Sequence, residues 1–171
     1  MPNRCFLGQL FSFCVAICAA PHATAAELPK DGTCRLKVKL EAQQTLDQLS
    51  AARDGILSWD EKETITNAEC DRAQWPSMRG HCFGSGELDG KFAISTGYCI
   101  DTDQDGDKIV WKLPATKYNQ YSSTSSYSSD VLMANGKYKG LSGTSKWHCV
   151  YSGTFAVSVG DCNVEMTFKF P

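Results

Sequence analysis

Four dipeptides, Asp54-Gly55, Asp89-Gly90, Asp105-Gly106 and Gly160-Asp161, punctuate segments in which apolar and polar residues alternate. An Asp-Gly or Gly-X pair between two such segments is the strongest short-range signal for a β-hairpin. A chain punctuated in this way has to be assembled from short antiparallel strands, which leaves a sandwich or a closed barrel as the available architectures.

Each turn implies a register. A turn at Gly160-Asp161 puts Phe155, Val157 and Val159 on one face with Cys162, Val164, Met166 and Phe168, opposite a face of Thr154, Ala156, Ser158, Asn163, Glu165, Thr167 and Lys169. That is a strand pair with one side on a core and one in water. A turn at Asp89-Gly90 sets Phe83 beside Phe92, Ile94, Thr96, Tyr98 and Ile100, with Cys82 and Cys99 on the other side. In the simplest register these two cysteines are diagonal neighbours roughly 7 to 8 Å apart. That is too far to bridge unless a bulge or a longer turn shifts the pairing. Ala42 to Arg53 reads equally as a short helix or a polar edge strand, and Ile56 to Thr66 as a hairpin or two short strands. The hydroxyl-rich run from Lys117 to Asp130 is an exposed strand or a loop, and the glycines between Gly136 and Gly143 suit bends or close strand approaches.

The first 26 residues have the pattern of a secretory signal peptide: Arg4, an apolar run from Phe6 to Ala20, and small residues at Ala23-Thr-Ala25-Ala26. A single domain is then expected over 27–171, secreted or periplasmic, with no membrane span, since no later segment is long and apolar enough. Cys34, Cys70, Cys82, Cys99, Cys149 and Cys162 remain after processing. In an oxidising compartment an even set of this kind forms disulfides, and no C-x-x-C spacing suggests a zinc or redox motif. Lys plus Arg total 17 against 19 Asp plus Glu, with no basic cluster to track a phosphate backbone, so nucleic acid is not an expected partner.

Asp101, Asp103, Asp105 and Asp107 alternate across the third turn and are the candidate metal ligands. The first three with Gly106 match the opening of a calcium loop, but Lys112 stands where an EF-hand needs a bidentate Glu, and the flanks read as strands. The better reading is a hairpin turning at Asp105-Gly106, with Asp103 opposite Lys108 and with Ile100, Thr102, Ile109 and Trp111 on one face. Calcium is the only cofactor the chain suggests. His81-Cys82 and His148-Cys149 are a poor metal set, because adjacent strand residues face opposite ways. No nucleophilic triad is legible; there is no Gly-x-Ser-x-Gly. Among the acids, Glu61, Glu63, Glu69, Glu87 and Glu165 have the chemistry for paired carboxylates and could meet in space, which their sequence spacing does not decide. Trp59, Trp75, Trp111, Trp147 and Tyr98 either fill a core or line a cavity.

Gly-His-Cys-Phe-Gly at 80–84, Thr-Gly-Tyr-Cys-Ile-Asp-Thr-Asp-Gln-Asp-Gly-Asp at 96–107, Ile-Val-Trp at 109–111 and Gly-Lys-Tyr-Lys-Gly-Leu-Ser-Gly at 136–143 follow one another in an order that resembles small secreted bacterial proteins. These in turn are similar to the barrel superfamily of allene oxide cyclases and dirigent proteins. The resemblance implies an all-β, antiparallel, about eight-stranded calycin-like barrel, reinforced by disulfides. Its motifs are structural, and the polar cyclase residues have no matching positions. Three functions follow as expectations: a non-catalytic module binding an apolar small molecule or a protein, a cyclase- or isomerase-like enzyme using the lumen, and a calcium-dependent structural or adhesive module. An open cavity with one or two convergent polar groups favours the enzyme, whereas a lumen packed with Trp and Phe removes both lumenal readings.

Overall fold

The structure is a computed structural model and describes residues 30–48, 54–71 and 74–171. The expected signal peptide lies outside the described residues. Eight strands follow in order: β1 (Asp31–Gln48), β2 (Gly55–Cys70), β3 (Met78–Asp89), β4 (Phe92–Asp103), β5 (Lys108–Asn119), β6 (Thr124–Ala134), β7 (Ser142–Gly153) and β8 (Val157–Lys169). Each pairs antiparallel with its neighbours in sequence, and β1 closes on β8, giving an up-and-down barrel of eight strands. Among the described residues no helix is long and apolar enough to cross a membrane.

Period-two alternation produces the wall. In β1, Cys34, Leu36, Val38, Leu40 and Ala42 are buried inside while Arg35, Lys37, Lys39 and Glu41 stand in solvent. This strand continues to Gln48, so the polar stretch after Ala42 is strand, and residues 55–70 are one strand of 16 residues where the alternation suggested two. The break was misleading because β2 turns Trp59, Glu61 and Glu63 inward between Leu57 and Ile65, and polar lumenal residues interrupt the apolar rhythm.

Three cross-strand disulfides join directly opposed residues: Cys34–Cys70, Cys82–Cys99 and Cys149–Cys162. Such bonding belongs to an oxidising, extracellular or periplasmic environment. The second needs a register other than the simplest one. The β3–β4 turn is Gly90-Lys91, with Asp89 paired to Phe92 and Gly90 at φ 58°, and this one-residue move brings Cys82 and Cys99 face to face.

Gly160-Asp161 is not a turn. Both residues lie inside β8, and the chain reverses at 154–156, after Gly153 with φ 116°. Gly160 is there because a Cβ would meet the ring of Tyr151 at 2.8 Å, so the glycine marks a close approach. Val157 and Val159 consequently face outward, away from Cys162, Val164, Met166 and Phe168.

The lumen divides in two. Towards the β4–β5 and β6–β7 turns it is packed solid by Trp75, Met78, Ile109, Tyr138, Leu141, Met166 and Phe168. Towards the other end it opens.

Candidate functional site

The aspartate hairpin closes the packed end. Asp103 pairs across to Asp107 around a three-residue turn, Gln104 to Gly106, with Gly106 at φ 87°. Thr102 therefore faces Lys108, the expected Asp103–Lys108 pair does not form, and Asp101 and Asp103 point inward with Ile109 and Trp111 while Ile100 and Thr102 face out. Oδ1 of Asp103 accepts the backbone N–H of Asp105 (2.9 Å) and of Asp107 (3.0 Å). Its Oδ2 accepts from the Tyr138 hydroxyl (2.8 Å) and sits 2.6 Å from Lys137 Nζ. Burial alone would raise this carboxyl's pKa; the bonds from Lys137, Tyr138 and the two amides outweigh it and hold the pKa below the usual value. Asp105 meets the same ammonium at 2.6 Å, and Asp107 accepts the Lys137 N–H at 3.1 Å.

Among the described residues, no three of Asp101, Asp103, Asp105 and Asp107 bring ligand atoms within 4.8 Å of one another; the group that does is Glu63 with Cys82 and Cys99, whose sulfurs are spent in a disulfide. The loop is held by donors of its own chain. Millimolar calcium or EDTA is therefore expected to leave the thermal midpoint within about 1 °C, whereas stabilisation by several degrees in calcium would mark the loop as a cation site.

Above this layer three carboxyls project into the barrel. Asp101 from β4 accepts the indole N–H of Trp111 on Oδ2 at 2.8 Å, and its buried Oδ1 has no partner. Glu63 from β2 reaches the same place: a Cβ on Gly80 would stand 2.5 Å from Asp101 Oδ1 and 2.8 Å from Glu63 Oε2. Glycine at 80 is what gives the two acids room. Burial pushes Asp101 up to about 6, against the Trp111 bond, and raises Glu63 well above the usual value, with Asp101 and Glu61 adding to the effect. Glu61, two residues along the same face, borders open space; burial, with Asp60 behind it, pushes it up to about 7. Glu69, Glu87 and Glu165 are on the outer face.

The open half of the lumen is a cavity of about 640 Å³. Trp59, Glu61, Leu113, Tyr118, Tyr127 and Tyr151 form its apolar and aromatic wall, and Ser122 to Ser126 and Thr154 rim it. Trp59 lies over Gly84 and Gly97, where any side chain would collide with its indole. Tyr127 stacks on Trp147 with centroids 5.5 Å apart and planes 10° from parallel. Burial raises the pKa values of Tyr118, Tyr127 and Tyr151, so all three stay neutral at ordinary pH.

The barrel wall beside the cavity is incompletely paired. Pairing between β5 and β6 stops at Lys112 and Asp130; beyond that point the strands splay, and the ladder between β4 and β5 carries a bulge at Pro114, which has no N–H to donate.

Of the aromatic residues singled out in the sequence, Trp75, Trp111 and Trp147 are core, Tyr98 is outside, and Trp59 alone lines the cavity. His81 and His148 are on the outer surface, bonded to Asp60 (2.6 Å) and Ser126 (3.0 Å). Tyr118 and Tyr127 were hidden in the hydroxyl-rich run from 117 to 130. The inward period-two row Ser125, Tyr127 and Ser129 on β6 was the available signal for Tyr127.

The described residues thus form a closed antiparallel barrel with one packed half and one open half that carries aromatic side chains. No protein-family model matches the sequence, and no curated protein matches it. Among solved structures, the chain is similar to the pterocarpan synthase dirigent protein GePTS1, with a TM-score of 0.53 at 7% identity over 89% of this chain and 96% of that one. At that identity the shared property is the barrel fold.

Proposed function

We propose that this protein holds a small, largely apolar molecule in the open half of its barrel, in the manner of a non-catalytic binding module of the dirigent-like superfamily. The observation that carries the reading is the cavity of about 640 Å³, a volume suited to a small organic ligand. It is walled by four aromatic side chains from β2, β5, β6 and β7 and borders the segments of β5 and β6 that do not pair with one another. The six paired cysteines and the expected signal peptide are consistent with a secreted or periplasmic setting.

The neutral fluorophore N-phenyl-1-naphthylamine provides the test. Its emission should rise on binding with one-site behaviour, and Ser158→Trp, which places an indole in the cavity, should weaken that binding about tenfold or more without lowering the thermal midpoint. Equal binding by the variant would remove the lumen as the site.

A cyclase- or isomerase-like reaction is a second reading, favoured by one observation: Glu61 is the one carboxyl among the described residues that line the cavity, and burial pushes it up to about 7, as suits a proton-transfer group.

A further inference from the structure

The cavity's charges are one-sided. Among the described residues no lysine, arginine or histidine lines it, and Glu61 is the one charged side chain that does. Glu63 and Asp101 put two more carboxyls in the lumen beneath it, while Arg35, Lys37, Lys39, Lys62, Lys112, Lys117 and Lys146 all face solvent. The rest of the described lining is uncharged: the rings of Trp59, Tyr118, Tyr127 and Tyr151, together with hydroxyl, amide and aliphatic side chains. Ring faces carry negative potential and attract cations, and the attraction grows when water is excluded. A carboxylate beside such rings supplies a charge-assisted acceptor for an ammonium N–H. An anion entering this space would lose its hydration and find no cationic partner among the described lining residues.

We propose that the lumen is built for an organic cation: an amine or quaternary ammonium on an apolar or aromatic body, its nitrogen at Glu61 and its body among the rings of Trp59, Tyr118, Tyr127 and Tyr151. The proposal rests on the lumenal reading and names the ligand's chemical class. It also assigns Glu61 the role of counter-ion.

A consequence is linkage to pH. Facing Glu61 are Glu63 on its own strand and Tyr118, Tyr127 and Tyr151 on β5, β6 and β7, with Gln44 from β1 and Ser95 from β4 untitratable and Asp60 behind it on β2. The tyrosines stay neutral, so the carboxyls decide the sign. A bound cation favours ionised Glu61 and shifts Glu63 in the same direction, so protons leave on binding and affinity rises with pH through neutrality.

Three probes share one body and differ in charge: 2-phenylethylamine, 2-phenylethanol and phenylacetate, each titrated calorimetrically and in competition with N-phenyl-1-naphthylamine at pH 6 and pH 8. At pH 8 the amine should bind about tenfold or more tighter than the alcohol and phenylacetate weakest, with the gap shrinking at pH 6. In Glu61→Gln the amine should fall to within about threefold of the alcohol measured on the same variant. An alcohol that matches the amine, an acetate that exceeds it, or failure of all three to displace a lumen-bound fluorophore overturns the cation assignment and leaves lumenal binding intact. Failure of the fluorophore to bind in the lumen at all removes both.

Discussion

Gly97→Ala should cost about 3 kcal/mol and lower the thermal midpoint by about 6–12 °C, although it adds a single methyl group. Gly97 and Gly84 oppose one another across β3 and β4, both facing the lumen. A Cβ on Gly97 falls well inside van der Waals contact with the carbonyl oxygen of Phe83 and with the indole of Trp59. A Cβ on Gly84 meets Thr96 O and the same indole. No rotamer change relieves a collision with backbone, so the strands or the indole must move.

Gly90→Ala is the informative control: the space around it is empty, its φ is 58°, and the expected cost is only the backbone term of about 1–2 kcal/mol. A double-mutant cycle of Gly97→Ala with Trp59→Ala should recover part of the loss, because one of the two collisions disappears. Lumenal binding of the neutral fluorophore should fall in Gly97→Ala alone, since displacing Trp59 reshapes the cavity wall. If Gly97→Ala melts within about 2 °C of the parent, Trp59 does not lie on the glycines and the cavity wall is drawn wrongly.

The same glycines explain what was legible in the sequence. Hairpin punctuation and alternation were sufficient for an all-β antiparallel barrel, because they report local turn chemistry and one-sided burial. Register was less legible. Asp89-Gly90 and Asp105-Gly106 are each near a true turn; moving the first to Gly90-Lys91 changes the partners but keeps the faces, whereas the three-residue turn at 104–106 shifts the pairing by one residue and puts Asp101 and Asp103, not Ile100 and Thr102, on the face of Ile109 and Trp111. Gly160 looked like a turn glycine and is a clearance for the Tyr151 ring, a contact between residues adjacent only in space.

The site was hidden for the same reason. Glu61 and Glu63 are ordinary polar residues until closure of the barrel buries them, and Tyr118, Tyr127 and Tyr151 converge from three strands whose order is known only once the sheet closes. The aspartate stretch drew attention by composition. Its structural yield is the Asp103–Lys137–Tyr138 bonding that seals the packed end.

Stability should fall as pH rises from 5 to 8, by about 4 kcal/mol in total. Asp101 is pushed up to about 6 and Glu61 to about 7, and Glu63 is raised well above its usual value, in each case chiefly by burial. Between the ordinary carboxyl range and these values the folded protein holds protons that the unfolded chain has released, so its stability decreases with pH through that window and levels off above it. Below the ordinary range the contribution is fully present. The three acids influence one another, so their effects do not add, which is why the total is set below the sum of single shifts. Asp103 acts with the opposite sign: its lowered pKa gives stability above the ordinary carboxyl range that is lost on acidification, which places the optimum near pH 5.

Urea titrations at pH 5, 6, 7 and 8 measure the slope. Asp101→Asn keeps an oxygen acceptor for the Trp111 N–H and removes the charge; combined with Glu63→Gln it should cut the pH-dependent loss by half or more and leave the variant more stable than the parent at pH 8. A parent whose stability is flat or rises between pH 5 and 8 would show that these acids are solvated or paired in a way the structure does not contain. Ligand linkage then supplies an internal check: at pH 8, where ionised Glu61 costs the empty barrel most, saturating 2-phenylethylamine should restore more stability than at pH 6, because the cation binds the form that the buried site tolerates least.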